Sequence, residues 1–214
     1  MAILSCLASF ALHAQLREFT VEELRQRAEN GDARAQFRLA TKYDWGRDVP
    51  RDGEEARKWY QRSAEAGYAE AQNSMGSVLQ AEKRFAEARP WYERAAAQNN
   101  APALNNLAYL YDLGLSVDQD RKKAFDLYSQ SANLGWAEAM WNLVIIYGAG
   151  QIDGKKDLPN ACVWTFRARR FMASDQRIAA MSERSAQHLQ HSLSAQEFSS
   201  CKQQAENWQP KAIQ

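Results

Sequence analysis

A short motif of small residues recurs four times along the chain. The motif Gly-x-Ala-x-Ala begins at Gly31, Gly67 and Gly135, and a related copy begins at Asn99. Successive copies start 36, 32 and 36 residues apart. Repetition at this period is typical of stacked two-helix units, because a single unit of this size cannot bury its apolar face alone. The repetition therefore predicts an all-α repeat protein.

The first helix predicted in each unit has an apolar residue at every fourth position. In the first unit these residues are Ala35, Leu39 and Tyr43, and their spacing places them on one helical face. A small residue at the head of this packing stripe allows a neighbouring helix to approach closely, and the larger residues fill the widening gap. The equivalent residues are Ala71, Met75 and Leu79, then Ala103, Leu107 and Tyr111, then Ala139, Leu143 and Tyr147.

The second helix of the first unit is predicted to begin at Asp52. Its carboxylate can cap free backbone N–H groups, and Glu55 completes a pattern like a capping box. Asp120 and Asp157 recur at the equivalent positions, so helix capping explains them without catalysis. A loop precedes each of these aspartates, but the second unit lacks this loop near residues 81–84.

Residues Ala28–Ala64 carry the motif A-x-x-G-x-x-x-A-x-x-x-L-x-x-x-Y-x-x-G, followed by D-x-x-x-A-x-x-W-(Y/F)-x-x-(S/A)-A. This pattern resembles Sel1-like repeats, which are relatives of tetratricopeptide repeats. The resemblance implies a right-handed α-solenoid of helix-turn-helix repeats with a capping helix or helices at each end. The four predicted repeats span residues 28–63, 64–95, 96–131 and 132–170.

Two flanking segments are predicted to cap the solenoid. At the N-terminal side, Thr20 and Glu23 form a capping box for a helix within residues 16–29. At the C-terminal side, residues 173–209 are predicted to form two helices, and periplasmic Sel1-like proteins often carry a similar hairpin. Ser174 or Asp175 would cap the first of these helices, and Ser194 with Glu197 would cap the second.

The first 15 residues contain an apolar run, Ile3–Leu12, without a charged side chain. The run is too short to span a bilayer. It resembles the apolar region and cleavage zone of a truncated secretory signal peptide, with Ala14 as the last residue removed. The signal-peptide interpretation predicts an exported bacterial protein, periplasmic or secreted. The alternative is an ordinary apolar helix packed against the first repeat.

The net charge bears on the class of partner. A formal net charge of +1 provides no electrostatic argument for a nucleic-acid partner or an anionic membrane.

The cysteines bear on the compartment. Cys6 lies in the predicted signal peptide, which leaves Cys162 and Cys201 in the mature chain. In an exported protein this pair predicts a disulfide, whereas in the cytosol both would be small buried apolar residues.

The sequence contains no recognisable catalytic motif. A Gly-rich phosphate loop, Cys-x-x-Cys and His-Glu-x-x-His are all missing, so we predict no cofactor, no metal site and no catalytic residues. His188 and His191 could share a metal, but a solvated helix face is the simpler interpretation. Cys201 and His188 could be a nucleophile and its base, although the sequence offers no third group to orient them.

The remaining candidate is a binding surface on the first helices, which line the concave side of stacked helical repeats. The predicted partner-binding residues are Phe37, Thr41, Asp44, Trp45, Asn73, Ser77, Gln80, Asn105, Tyr109, Asp112, Trp141 and Ile145. The large apolar members lie off the packing stripe, and such residues gathered on a surface suggest binding. Alternatively, these residues pack under loops or under the cap helices. Trp141 is the residue that this alternative concerns most.

We therefore expect an exported scaffold that binds a partner protein or peptide in its groove. The resemblance implies several such roles, because Sel1-like families include periplasmic regulators, adaptors of envelope assemblies and immunity proteins that neutralise secreted toxins. The alternative is a β-lactam-binding or β-lactam-hydrolysing enzyme of the cysteine-rich Sel1-like type. Those proteins have a disulfide in most repeats, which this chain lacks.

Overall fold

The structure is a computed structural model that describes residues 19–171 and 176–211 of the chain. The described residues form eleven α-helices and no β-strand, which confirms the predicted all-α repeat fold. The helices are α1 Val21–Glu29, α2 Ala33–Trp45, α3 Gly53–Glu65, α4 Ala69–Ala81, α5 Phe85–Ala96, α6 Ala101–Leu113, α7 Arg121–Asn133, α8 Ala137–Ala149, α9 Leu158–Phe171, α10 Gln176–Ser192 and α11 Ala195–Glu206. The predicted signal peptide and the predicted caps Ser174 and Asp175 lie outside the described residues.

The chain divides into two compact units, residues 1–71 and 72–214. In the first unit, α1 packs against α2, and α2 packs against α3. In the second unit, α5, α6, α7, α8 and α9 each pack against the next helix in order. The largest fully buried side chains include Tyr92 on α5 and Tyr128 on α7. The fully buried side chains of the first helices include Leu39, Leu110 and Leu143, so both helices of a repeat contribute to the core.

In two of the repeats, a buried serine near the end of the second helix bonds to the first helix of the same repeat. Ser63 Oγ donates to the carbonyl oxygen of Ala33 at 2.6 Å, and Ser131 Oγ donates to that of Ala101 at 2.7 Å. Ala33 and Ala101 are the first residues of α2 and α6. The serine of the repeat motif therefore fixes the end of the second helix against the start of the first.

The loop between the two helices of a repeat closes on the last tyrosine of the packing stripe. A backbone N–H of the capping aspartate donates to the tyrosine carbonyl in the pairs Asp52–Tyr43, Asp120–Tyr111 and Asp157–Tyr147, at 3.0, 2.9 and 2.9 Å. The carboxylate of Asp52 accepts from the backbone N–H of Glu54 and Glu55, as predicted for a cap. Because the N–H of Asp52 is already bonded to Tyr43, Glu55 does not complete a capping box and bonds Lys58 instead.

The packing stripe differs from the prediction at its last position. Ala35 and Leu39 are buried, but Tyr43 is only half-buried, and the same is true of Tyr111 and Tyr147. The hydroxyl of Tyr43 accepts a hydrogen bond from Arg25 at 2.8 Å, and that of Tyr111 accepts one from Lys123 at 2.8 Å. All three tyrosines lie in the last turn of the first helix, and Tyr147 packs edge-on against the ring of Phe125. The prediction of a fully buried core tyrosine is therefore wrong at this position.

The second repeat has a short connection between its helices, as predicted. Helix α4 ends at Ala81 and α5 begins at Phe85, and Lys83 between them adopts a left-handed conformation with φ of 61°. Asn99, which stands where the other repeats have Gly, also adopts a left-handed conformation, with φ of 58°. Asparagine tolerates this region better than other residues with a side chain, which explains the exchange.

Helices α10 and α11 both pack against α9 and make few contacts with each other. Ile178 and Leu189 of α10 are buried, and Ser194 with Glu197 forms the predicted capping box of α11. A disulfide joins Cys162 on α9 to Cys201 on α11, with their Cα atoms 5.8 Å apart. It lies within an apolar cluster of buried and half-buried residues, Ala161, Val163, Leu189, Phe166 and Phe198 among them.

The segment after α11 returns to the preceding repeats. The ring of Trp208 lies 6.1 Å from that of Trp164 and 5.5 Å from that of Phe171. The guanidinium of Arg167 lies 4.5 Å from the ring centre of Trp164 and 4.8 Å from that of Trp208. The backbone N–H of Lys211 donates to the carbonyl of Asn133, so the segment is held by both stacking and hydrogen bonding.

Candidate protein-interaction surface

In the first unit, Phe37 belongs to the packed interior more than to a binding surface. Its side chain is half-buried, and its ring centre lies 5.6 Å from that of Tyr60 and 5.3 Å from that of Tyr68. Tilted aromatic pairs at this distance stabilise a fold. Phe37 therefore matches the alternative interpretation, in which an off-stripe aromatic residue packs under neighbouring segments.

Thr41 and Asp44 also have internal contacts. Thr41 Oγ1 donates to the carbonyl of Phe37 at 2.9 Å and accepts from the hydroxyl of Tyr60 at 3.4 Å. Burial raises the pKa of Tyr60, and the nearby carboxylate of Asp44 raises it further. Trp45 alone of the four predicted residues in this unit is well exposed, at 60%, and the guanidinium of Arg47 lies 4.4 Å from its ring centre.

In the second unit, large apolar side chains are exposed on α6 and α8. Tyr109 is 40% exposed and Ile145 is 45% exposed, both at predicted partner-binding positions. Leu113, one turn after Tyr109, is 50% exposed. Large apolar side chains clustered on a surface mark interaction sites more often than isolated ones do.

Trp141 lies one helical turn before Ile145 and is half-buried. Its ring packs against the apolar core cluster that includes Leu143 and Val144. Its indole N–H is buried and has no hydrogen-bond partner among the described residues. An unpaired buried donor costs about 1–3 kcal/mol. Trp141 is therefore partly a core residue, as the alternative interpretation anticipated.

Four asparagines connect the first helices of the second unit. Asn106 Nδ2 on α6 donates to Asn73 Oδ1 on α4 at 3.0 Å. Asn142 Nδ2 on α8 donates to Asn105 Oδ1 on α6 at 3.0 Å. Two of these residues, Asn73 and Asn105, are predicted partner-binding residues, and all four are half-buried. The two hydrogen bonds show that α4, α6 and α8 lie side by side.

The predicted polar residues near the end of α4 bind the buried tyrosine of the same repeat. The hydroxyl of Tyr92 donates to Gln80 Oε1 at 3.1 Å and lies 3.4 Å from Ser77 Oγ. On α6, Asp112 is half-buried, and its backbone carbonyl accepts from Gln119 Nε2 at 2.7 Å. Burial raises the pKa of Tyr128 strongly, and the charge of Asp112 raises it further. Ser77 and Gln80 therefore have a structural role, whereas the carboxylate of Asp112 has no hydrogen bond to another described residue.

These observations define a surface on the first helices of the second unit, which we call the α4–α6–α8 face. It consists of Asn73, Asn105, Tyr109, Asp112, Trp141 and Ile145. On α6, Asn105, Tyr109 and Asp112 follow one another by four and three residues, so they share one face of the helix. The face combines exposed apolar side chains with amide groups and a carboxylate, which is the usual composition of a binding surface.

The described part of the chain contains no cluster of three or more potential metal ligands. His191 Nδ1 lies 2.7 Å from the carbonyl of Gln187 on its own helix. The sulfur of Cys201 is bonded to Cys162, so this cysteine is not available as a nucleophile for His188. Within residues 19–171 and 176–211, no helix is both long and apolar enough to cross a bilayer.

Two features of the second unit were not predicted from the sequence. Asn106 and Asn142 donate the hydrogen bonds between neighbouring first helices, yet they were not among the predicted residues. Their recurrence at equivalent positions, 36 residues apart, is a signal that could have identified them. The sequence has no comparable signal for the packing of Trp208 against α9, because Trp208 follows the last helix and belongs to no repeat.

A comparison with protein-family models matches the Sel1 repeat to residues 33–68, 69–100 and 101–136. The three matched segments begin at the first residues of α2, α4 and α6. A search of curated protein sequences finds no match.

Several solved structures share the fold. One is c5321, a protective antigen of uropathogenic Escherichia coli with an SLR fold, at 27% identity and a TM-score of 0.76. The match covers 87% of this chain but only 39% of c5321. A Sel1 repeat protein from Oxalobacter formigenes has 26% identity and a TM-score of 0.67, over 87% of this chain and 77% of that one. The immunity protein PA5088 from Pseudomonas aeruginosa shares the fold at 19% identity and a TM-score of 0.52, over 79% of this chain and 72% of its own.

Proposed function

Because this chain belongs to the Sel1 repeat family, we propose that it is a non-enzymatic scaffold that binds a segment of another protein on its α4–α6–α8 face. The observation that carries this proposal is the exposure of Tyr109 and Ile145 beside the hydrogen-bonded asparagines of neighbouring helices. A few residues near the centre of an interface, most often Trp, Tyr and Arg, supply most of its binding free energy.

Hydrogen bonds between its helices should keep this surface ordered before a partner binds, which favours binding. The hydrogen bonds Asn73–Asn106 and Asn105–Asn142 hold the three helices in fixed register. The side chains beneath them, such as Leu107 and Leu143, are buried. A surface that is already ordered loses little conformational entropy when a partner binds, so more of the contact energy appears as affinity.

We further propose that the protein acts outside the cytoplasm, in the periplasm or after secretion from a bacterium. Two features support export: the apolar run Ile3–Leu12 and the disulfide between Cys162 and Cys201. Export is tested by the intact mass of the protein isolated from the periplasm of a bacterium that expresses the whole chain. Loss of residues up to Ala14 supports export, and retention of Met1 in the cytoplasm contradicts it.

Within this proposal the partner is a secreted toxin or an envelope protein, the two classes implied by the resemblance to Sel1-like proteins. Site-specific photo-crosslinking tests the surface itself. A benzophenone amino acid replaces Tyr109 on the α4–α6–α8 face, and in a control it replaces Asp126, which is exposed on α7. We expect a crosslinked protein in extracts of the bacterial envelope only from position 109. Crosslinks from position 126 alone would assign binding to another surface.

A further inference from the structure

Charged residues are unevenly distributed between the first and second helices of the second unit. Helices α4, α6 and α8 contain no Lys or Arg. Helices α5, α7 and α9 contain eight, with two on α5, three on α7 and three on α9. The net charge of the whole chain is only +1, so this separation comes from placement rather than composition. The first helices therefore present a surface without positive charge.

The acidic residues of α6 and α8 lie beside the exposed apolar residues. Asp112 follows Tyr109 by three residues on α6. Glu138 precedes Trp141, Asn142 and Ile145 by three, four and seven residues on α8, so it shares their helical face. Both acids are half-buried, and neither has an ion pair with a described residue. Two carboxylates without a cationic partner therefore border the apolar part of the surface.

The asparagines provide a second type of recognition. A side-chain amide has a donor group and an acceptor group. The bond between Asn73 and Asn106 uses one of each, and so does the bond between Asn105 and Asn142. Whichever way the amides are oriented, each pair leaves an N–H donor and an oxygen acceptor with no side-chain partner among the described residues. The two pairs follow one another across three neighbouring helices, α4, α6 and α8.

We infer that the α4–α6–α8 face binds an extended, cationic polypeptide segment, an inference that rests on the function proposed above. An extended chain offers unpaired backbone N–H and C=O groups, which match the donors and acceptors of the asparagine pairs. A helical segment satisfies its own backbone groups and cannot use them. Lysine or arginine side chains of the segment pair with Asp112 and Glu138, and one of them stacks on the ring of Tyr109.

The size of the surface sets the length of the segment. Neighbouring packed helices lie about 8–10 Å apart, so three of them extend over about 20 Å between the outer axes. An extended chain advances about 3.3 Å per residue, so about six to eight residues cross the face. Successive side chains of an extended chain point in opposite directions, so a segment that lies edge-on to the face places its cationic side chains on one side of the backbone. The apolar residues between them lie on the other side, where they contact Tyr109 and Ile145.

The test uses fluorescein-labelled peptides of about eight residues, a length that follows from the extended rise per residue. One peptide alternates lysine with leucine, a second alternates glutamate with leucine, and a third has the lysine–leucine composition but is stapled as a helix. A fourth is the lysine–leucine peptide with methylated backbone nitrogens.

Fluorescence anisotropy measures binding of each peptide to the whole mature protein. We expect the extended lysine peptide to bind at least about tenfold more tightly than the other three, the factor that corresponds to about 1.4 kcal/mol. Equal binding of the glutamate peptide overturns the cationic preference, and equal binding of the helical peptide overturns the extended conformation. Equal binding of the methylated peptide overturns the pairing of backbone N–H groups with the asparagines.

Paired variants locate the binding. The double variant Asp112→Asn/Glu138→Gln should weaken binding of the lysine peptide by about three- to tenfold, the range for exposed ion pairs, and should reduce its salt dependence. The control Glu93→Gln/Asp126→Asn removes two exposed acids from α5 and α7 and should leave the affinity unchanged. If the control weakens binding as much as the first variant, the attraction is a general effect of charge and the inference is wrong.

The outcome also separates this inference from the proposed function. A crosslinked partner at position 109 whose bound segment is neutral, acidic or helical contradicts the inference and leaves the proposed surface intact. If position 109 yields no crosslinked partner and the lysine peptide does not bind, both the surface and the inference are wrong.

Discussion

Replacing Gly76 with alanine is expected to destabilise the fold, although alanine is the better helix former. Gly76 is buried within α4, and a Cβ atom added there would lie 2.5 Å from Cε1 and 2.7 Å from Cδ1 of Tyr92. Tyr92 is fully buried on α5, so its ring cannot escape the clash by moving into solvent without leaving the core. Overpacking of a core costs about 1–3 kcal/mol, and the gain from replacing a helical glycine is about 0.5–1 kcal/mol. We expect a net loss of about 1–2 kcal/mol in the free energy of unfolding.

Gly148 on α8 provides the matched control. It is also helical, but a Cβ atom added there meets nothing within 4 Å. Gly148→Ala should therefore raise the free energy of unfolding by about 0.5–1 kcal/mol. Urea unfolding followed by circular dichroism measures both variants. If Gly76→Ala is as stable as the wild type or more stable, the close packing of α4 against Tyr92 is wrong. A third variant, Gly76→Ala/Tyr92→Leu, removes the clashing ring atoms and should show favourable coupling between the two substitutions.

Three further predictions concern the core and the C-terminal helices. The disulfide closes a loop of 39 residues, so Cys162→Ala/Cys201→Ala should lower the free energy of unfolding by about 3–4 kcal/mol, and equal stability with and without reductant contradicts this. Ser131→Ala removes the buried hydrogen bond to the carbonyl of Ala101 and should cost about 1–3 kcal/mol in urea unfolding, whereas Ser129→Ala on the same helix should cost little. Burial raises the pKa of Tyr92 and Tyr128, so their contribution to stability is complete below the ordinary tyrosine pKa of about 10 and is lost as the pH rises through their raised values. Tyr128→Phe should therefore show a shallower loss of stability in alkaline urea titrations, and an unchanged slope contradicts the assignment.

The repeat pattern was sufficient to predict the helices, because small residues at fixed spacing determine where two helices can approach. Ala35 and Leu39 are buried for this reason. The pattern could not show that Tyr43 would be only half-buried, since its environment depends on Arg25 from the preceding helix. In the same way, Phe37 was predicted to be a binding residue. Its contact with Tyr68 could not be predicted, because Tyr68 lies outside the motif of the first repeat.

The binding surface was predictable only in part. Tyr109 and Ile145 were identified correctly as exposed, because they lie off the packing stripe of their helices. The hydrogen bonds of Asn106 and Asn142 depend on the register between neighbouring repeats, which periodicity within a single repeat does not determine. Gln80 accepts its hydrogen bond from Tyr92 on the second helix of the repeat. The spacing of residues along α4 alone cannot predict this contact between two helices.

The affinity of the crosslinked partner for the variant Tyr109→Ala/Ile145→Ala tests the binding surface most directly. Both side chains are exposed, so the thermal melt of the variant should resemble that of the wild type. If these residues are central to the interface, the partner should bind the variant at least about 2 kcal/mol more weakly, the usual threshold for a binding hot spot. Binding at wild-type affinity to a variant that remains folded would show that the partner does not use the α4–α6–α8 face.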